Sequence, residues 1–277
     1  MLYDLVGQVM KLTLIFVLVL ACFGVVTGPA SQGQEPVPRE AKPEEIPFAY
    51  DSKFFTKIRI QEVGRAIAAD LDNFPEDAPA HSCFHLESSH ELPALDKGPR
   101  YFYPAYTLIC IIPLKDTSVS NYAKSYPTVN KAAAQLRTVL KNRPRKFKFY
   151  RDLTDLPYNN ASGAILSRVE YLPFKTGKGV LFLTQYSQDL FPSPINNEEL
   201  TAVFQGLSND GKYYVAARLA ITHPSLPKGI DSTPDITRDK GRSYLRRTEQ
   251  DLNRLNEESF TPSLKMVKSL IASIATN

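Results

Sequence analysis

The sequence has no tryptophan and no marked excess of charge of one sign. Its aromatic packing therefore depends on 14 tyrosines and 15 phenylalanines. The 33 basic and 29 acidic residues leave a formal net charge of +4, which is too balanced to indicate a nucleic-acid partner. With 43% hydrophobic residues the chain can bury a proper core, so the composition excludes a disordered protein. The length allows one large domain or two small ones.

The chain also lacks the short motifs of common catalytic and cofactor sites. It contains no G-x-S-x-G elbow, Walker loop, G-x-G-x-x-G, H-E-x-x-H or C-x-x-C. His223 is the only histidine of the second half. A triad with Ser187 or Ser208 can be imagined around it, with Asp210 as the acid, but nothing in the pattern positions these residues together. The sequence therefore predicts no catalytic residue and no cofactor.

One apolar run is present near the N-terminus, and it is short for a membrane span. Residues 12–26 follow Lys11 and precede small and polar residues, which is the order of a secretory signal. We predict a signal peptide over 1–30 with cleavage after Ala30, and Met10 makes a more usual start than Met1, so residues 1–9 read as an extension. The alternative is lipidation at Cys22, which follows a loose lipobox. Either interpretation predicts export, to the periplasm or the exterior.

A stretch rich in proline and glutamate follows the leader. Residues 31–47 read SQGQEPVPREAKPEEIP, a composition that cannot bury apolar area. We expect a disordered spacer there and a single folded domain over 48–277.

In the first half of the domain, the sequence pattern predicts strands over 54–63, 81–87 and 106–114. The last of these is apolar on both faces, as a central strand should be. If 81–87 and 106–114 pair symmetrically, Cys83 falls opposite Cys110, and an exported protein permits a disulfide between them. The alternative is two buried thiols that act as small apolar residues.

The same strand carries a candidate metal site. His81, Cys83 and His85 would point to one face, with His90 close behind, and zinc accepts such ligands. However, alternate positions of one strand form a line that is too long to close a tetrahedron unaided. Polar residues on a solvated strand face are the simpler interpretation, so the sequence favours no metal.

The clearest helix of this half is predicted over 128–142, and Pro144 ends it. Between Lys124 and Arg151 there are nine basic residues and no acidic one. Such a segment can contact anionic lipid or a polyanion, or it can be an ordinary solvated face. The alternation of basic and aromatic residues over 144–150 (PRKFKFY) predicts a half-buried strand.

The second half is organised around a hairpin. Strands predicted over 202–208 and 212–222 flank Asn209-Asp210-Gly211, and Asp-Gly suits a tight turn. Strands over 165–174 and 180–186 precede it. Helices are predicted over 242–258 and from Thr261-Pro262 onward, with the proline as a first-turn residue. Strands followed by helices indicate an α+β fold, with a mainly antiparallel sheet flanked by helices. This arrangement resembles a PsbP-like layered sandwich.

Several motifs in this half resemble a known family. They are G-x-G-V-x-F-L-T-Q-Y-x-Q (177–188), P-I-N-N (194–197), F-Q-G-L-S-N-D-G-K-Y-Y-V (204–215) and P-x-L-P (224–227). The F-T-P-S-L of 260–264 and the P-x-H-x-x-F of 79–84 are similar as well. Together they resemble a family of uncharacterised exported bacterial proteins, several of them classed as lipoproteins. The resemblance implies location and a single α+β domain, and it transfers no activity and no functional residue.

These observations favour a non-enzymatic, exported cell-envelope protein that binds a partner or ligand. A secreted hydrolase is the alternative, and zinc binding through His81, His85 and His90 comes third. Contact with a membrane is expected only through the leader, a lipid anchor or the basic segment Lys124 to Arg151.

Overall fold

The computed structural model of the chain describes residues 37–66, 77–89, 107–158, 161–187, 194–229 and 238–276. The predicted leader with Cys22, the start of the predicted spacer and His90 lie outside these ranges. In the described part the strands are β1 (Arg39–Glu40), β2 (Phe55–Val63), β3 (His81–Ser88), β4 (Leu108–Pro113), β5 (Ser162–Gly163), β6 (Ser167–Phe174), β7 (Gly177–Thr184), β8 (Tyr186–Ser187), β9 (Thr201–Ser208) and β10 (Tyr213–Ala220). The helices are α1 (Tyr122–Ser125), α2 (Pro127–Asn142), α3 (Arg238–Arg254) and α4 (Leu264–Ser273).

Eight of these strands form one antiparallel sheet. Their order is β1-β2-β3-β4-β10-β9-β7-β6, and β5 pairs with β8 separately. The predicted α+β class with a mainly antiparallel sheet is confirmed. The predicted hairpin is confirmed too: β9 pairs with β10, and Gly211 in the turn has a φ of +71°. The central position predicted for residues 106–114 is also correct, because β4 lies between β3 and β10.

The sheet is covered on both faces. Alternate residues of each strand enter different apolar clusters: in β9, Val203 and Leu207 face α2, whereas Ala202 and Phe204 face the side of α3 and α4. Because side chains alternate along a strand, a strand buried on both faces is apolar throughout. All eight residues of β9 are buried accordingly. The result is three layers, with α2 on one side and α3 and α4 on the other.

The described structure includes a strand before Phe48, the residue at which the composition placed the start of the domain. Arg39 and Glu40 pair with β2, and the Ala41 N–H donates to the Ile58 carbonyl at 2.9 Å. Ala41 and Ile46 pack against the apolar cluster. The prediction of a spacer up to residue 47 is therefore wrong from residue 37 onward. The edge of β2 offers unpaired backbone groups, and hydrogen bonds to such an edge order a polar segment without a core of its own.

Two local predictions are also wrong. Residues 144–150 form a loop in which only Phe149 makes an isolated bridge. The segment ends at Tyr150, whose φ of 59° is not compatible with a continuing strand. The last helix is capped by Ser263, whose Oγ accepts the N–H of Met266 at 3.2 Å, so Pro262 precedes the cap instead of starting the helix.

Candidate functional sites

A buried ion pair joins Asp155 to Arg218 of β10. The Nη2 of Arg218 donates to Asp155 Oδ2 at 3.0 Å and to the carbonyl of Pro157 at 2.5 Å. The hydroxyl of Tyr186 donates to the same carboxylate oxygen. Only 8% of Arg218 and 3% of Asp155 are exposed. Such a pair must be fully satisfied, because an unpaired charge in this position is very costly.

The electrostatics of this cluster keep Tyr186 protonated and Arg218 charged, so the two groups do not exchange protons. Burial raises the pKa of Tyr186 well above 10, so the phenol stays protonated and donates. Burial alone would lower the pKa of Arg218, but Tyr186 and Asp155 raise it overall, so the guanidinium stays charged. The guanidinium carbon lies 4.9 Å from the centre of the Tyr186 ring, a cation–π contact. The arrangement neutralises a charge and leaves no free base.

The sequence analysis missed this cluster, although one signal was present. Arg218 is the one charged residue within β10, YYVAARLA, and it shares a face with Tyr214 and Ala216. A charged residue at an inward position of an apolar strand requires a partner. Its partner Asp155 lies between α2 and β5, in a segment with little regular secondary structure.

His223 lies just after β10 between two serines. The N–H of Ser225 donates to Nδ1 at 3.1 Å, so Nδ1 carries no proton and Nε2 does. The Nε2 proton is then directed to Ser259 Oγ at 2.9 Å, and Ser225 Oγ donates to Nδ1 at 2.7 Å. Burial lowers the pKa of His223, which keeps the ring neutral. The exposed Ser225 and this ring form a serine–histidine pair, and within the described part of the chain no carboxylate is hydrogen-bonded to the ring.

The triad imagined from the sequence does not assemble in this way. Ser208 Oγ donates to Asp210 at 2.6 Å in the β9–β10 turn, and both residues lie at the opposite end of β10 from His223. Ser187 lies in β8, and the described hydrogen bonds of the His223 ring go to Ser225 and Ser259 instead.

Of the predicted metal ligands, His81, Cys83 and His85 lie on β3. The residue that joins His81 and Cys83 in a group of possible ligands is Cys110, not His85. Cys83 is directly opposite Cys110, and their sulfurs form a disulfide. His81, Cys83 and Cys110 have potential ligand atoms within 4.8 Å of one another. His85 instead contacts Gln61 Oε1 through Nε2 at 2.9 Å. Burial lowers the pKa of both histidines.

The nine basic residues between Lys124 and Arg151 are all exposed, and we call them the basic surface. Lys146 pairs with Glu249 at 2.7 Å, and Arg151 pairs with Asp152 at 2.8 Å. Among the described residues, the other seven have no carboxylate within ion-pair distance. The basic surface thus carries a local positive charge that the described part of the fold does not neutralise.

The loop after α2 is held in place beneath these charges. Gln135 of α2 donates from Nε2 to the carbonyls of Tyr150 and Arg151 at 3.1 and 2.9 Å, and its Oε1 accepts the N–H of Thr154 at 2.8 Å. Phe147 is buried and packs edge-on against Phe182 of β7, with 5.3 Å between ring centres. The buried phenylalanine alternates with exposed cations, which explains why the pattern resembled a strand.

The motifs of the second half bond to one another. Gln185 accepts the N–H of Asn196 at 3.0 Å, and Asn197 both accepts the N–H of His223 at 2.7 Å and donates to its carbonyl at 3.1 Å. Gln205 accepts the hydroxyl of Tyr214 at 2.6 Å. These side chains tie segments of the fold together, so the motif string has a structural role in this chain.

Comparisons with profiles of protein families, with curated proteins and with solved structures found no match. None of the described helices is long and apolar enough to cross a membrane. The function therefore rests on the geometry of the sites above.

Proposed function

We propose that this chain is an exported, non-enzymatic cell-envelope protein that binds an anionic membrane surface through the basic surface. The observation that carries the proposal is the exposure of seven cations without an ion-pair partner in the described structure, on α1, α2 and the loop that α2 holds in place. Binding therefore requires little ordering of the backbone that carries these cations.

Anionic lipid is a suitable partner for physical reasons. A lysine or arginine near an anionic leaflet gains on the order of 1 kcal/mol, and the attraction fades within about a Debye length. Several cations on one surface therefore give binding that depends strongly on salt and on the fraction of anionic lipid. Exposed cations need no pocket for this interaction.

The test is sedimentation of the purified protein with vesicles. Vesicles of phosphatidylcholine are compared with vesicles that also contain phosphatidylglycerol, at low and at high salt. We expect binding only to the anionic vesicles, and we expect it to weaken as salt is added. The variant K131Q/K141Q/R145Q/K148Q should bind at least about tenfold more weakly, since four cations leave the surface.

A matched variant removes the same charge elsewhere. Lys240, Arg242, Arg246 and Arg247 are exposed on α3, which covers the other face of the sheet, and none has an ion-pair partner among the described residues. The variant K240Q/R242Q/R246Q/R247Q should retain most of the binding. Equal loss in both variants would show that net charge alone acts, and it would reject the proposal of a specific surface.

We propose the same location from the leader, which predicts export with cleavage after Ala30 or lipidation at Cys22. A disulfide between Cys83 and Cys110 supports export, because disulfides persist in oxidising compartments. Intact mass of the protein from its own cell envelope distinguishes the two leaders. A chain that begins at residue 31 indicates soluble export, whereas an acylated chain that begins at Cys22 indicates an anchor, and a chain that retains the leader contradicts both.

The family resemblance and the PsbP-like layering are part of the same proposal. The helix–sheet–helix layers and the antiparallel sheet support that layering, and the bonds between the motif residues support a shared fold. An experimental structure of another protein with the same motif string tests both points. A different strand order in that structure would reject them.

A secreted hydrolase is the second candidate, and the contact between His223 and Ser225 favours it. Its test is labelling with a fluorophosphonate probe, which attaches to a serine activated by a neighbouring base. A hydrolase of this kind would be labelled at Ser225, and S225A would lose the label while S208A keeps it. Absence of labelling in the folded protein would exclude this serine as a nucleophile.

A further inference from the structure

Three side chains that can bind a metal lie together at β3 and β4. Cys83 and Cys110 face each other across the strand pair, and the nearest ring nitrogen of His81 lies within 4.8 Å of both sulfurs. We propose that reduction of the disulfide converts this cluster into a binding site for one thiophilic cation, Zn²⁺ or Cu⁺. This site is independent of the basic surface and of membrane binding.

The orientation of His81 is the second observation. Its Nδ1 lies 2.8 Å from the carbonyl oxygen of Pro79. A carbonyl only accepts, so Nδ1 carries the proton and the lone pair is on Nε2. Metal-binding histidines characteristically have one nitrogen held by a carbonyl or carboxylate and the other free to coordinate. His81 therefore has the tautomer that a ligand needs before any metal arrives.

The surroundings select the kind of cation. Both cysteines belong to the apolar cluster on the α2 face of the sheet, and Cys110 is fully buried. No carboxylate belongs to this ligand group in the described part of the chain. Two thiolates and one imidazole suit Zn²⁺ or Cu⁺, whereas Mg²⁺ and Ca²⁺ require oxygen ligands.

The change of state balances in electrons and protons. A dithiol reductant transfers two electrons and two protons to the disulfide, so the sulfur–sulfur bond breaks, two thiols form and the reductant becomes its own disulfide. Cation binding then releases the two thiol protons, because the thiolates are the ligands. A disulfide oxidant reverses the sequence: it takes two electrons from the two thiolates and becomes a dithiol with two protons from solvent, while the sulfur–sulfur bond re-forms and the cation leaves. The cluster thus has a metal-free, cross-linked state and a metal-bound, reduced state.

A surface groove lies at the same end of the sheet as the cluster. A surface groove of about 570 Å³ is lined by Pro79 and Ala80, which directly precede His81, and by Pro113, which ends β4. Exposed Lys115 and Lys212 stand at this groove as well. The groove therefore opens the chain segment that leads into His81 to small solutes.

The experiment measures metal affinity in both redox states. The purified protein is reduced without air by a phosphine, which adds no competing thiol, and Zn²⁺ and Cu⁺ are titrated separately against a chromophoric chelator. We expect one cation per reduced chain and none per oxidised chain. His81→Gln should weaken binding by about tenfold or more, and Cys110→Ser should abolish the thiolate-to-metal band of the Co²⁺-substituted protein.

His85→Gln is the matched control, because His85 lies on the same strand and its ring is held by Gln61 instead. It should leave the affinity unchanged. A reduced chain that binds neither cation would overturn the proposal. Equal losses in H81Q and H85Q would overturn it too, since that pattern describes an unfolded chain whose cysteines and histidines bind without defined geometry. Circular dichroism of the reduced protein identifies that case directly.

Discussion

Arg218 and Asp155 are separated by 63 residues in the sequence, yet their side chains meet at 3.0 Å in the interior. The carboxylate accepts from the guanidinium and from Tyr186, and the guanidinium also reaches the carbonyl of Pro157. This contact joins the central strand β10 to the segment between α2 and β5. It fixes a part of the chain that has little regular structure of its own.

Asp155→Asn should destabilise the protein strongly. Removing the negative partner leaves the buried charge of Arg218 uncompensated, at a cost of about 3–5 kcal/mol. Urea denaturation measures the change. Asp152→Asn is the control, because its pair with Arg151 lies at the solvent-exposed surface and should contribute little to stability. Similar costs for the two variants would show that the buried pair has no special role.

Loss of the disulfide should lower stability by an amount set by the loop that it closes. Cys83 and Cys110 are 27 residues apart, for which chain entropy predicts about 3–4 kcal/mol. The variant C83A/C110A should therefore unfold at a lower urea concentration than the oxidised protein. Reductant should shift the wild-type midpoint in the same direction and leave the variant unchanged. A wild-type urea midpoint that stays the same when reductant is added would contradict this prediction.

Acidification should destabilise the fold through its buried histidines. Burial lowers the folded-state pKa of His223, so the unfolded chain binds a proton more readily, and stability falls as pH decreases below about 6.5. Urea midpoints at several values between pH 7.5 and 5 measure this slope. His223→Gln should flatten it without abolishing it, because burial also lowers the pKa of His81 and His85.

The chosen pH window separates histidines from carboxylates. Glu45 and Asp210 have pKa values lowered to about 2, the first mainly by a hydrogen bond from Arg39 and the second mainly by one from Ser208. These two carboxylates contribute to folding stability at pH values above their unfolded-state pKa of about 4, and that contribution is lost only below it. Parallel pH profiles for the wild type and H223Q would therefore count directly against the role of His223.

Gly211→Ala should weaken the β9–β10 hairpin. Gly211 has a φ of +71°, a conformation that costs a residue with a Cβ about 1 kcal/mol. Thermal unfolding should show a lower Tm for this variant. Gly64→Ala is the comparison, because Gly64 has open space around its Cα and no positive φ. A Tm shift in G64A as large as that in G211A would remove the backbone explanation.

Much of the sheet followed from local signals. The Asp210-Gly211 turn predicted the β9–β10 hairpin, and the loop symmetry placed Cys83 opposite Cys110. The doubly apolar stretch at 106–114 predicted a central strand. The basic surface was also identified from the sequence, as a run of cations, although the loop beneath it was predicted as a strand.

The partners of polar residues could not be predicted in this way. Asp155, Tyr186 and Arg218 lie in three different segments of the sequence, and no local pattern indicates that their side chains meet. The same holds for His223, whose neighbours Ser225 and Ser259 come from the following loop and from the segment before α4. The third member of the metal-ligand group, Cys110, came from the neighbouring strand, whereas the sequence analysis sought it among histidines of one strand.

By itself, the sequence determined most of the strands and helices and the main turns, because periodicity, proline and glycine act over a few residues. Only the tertiary structure decided the strand order, the addition of residues 39–40 at the sheet edge and the identity of the charge and metal-ligand partners. These depend on contacts between distant segments, where a buried charge must find an opposite charge and an open strand edge must find hydrogen bonds.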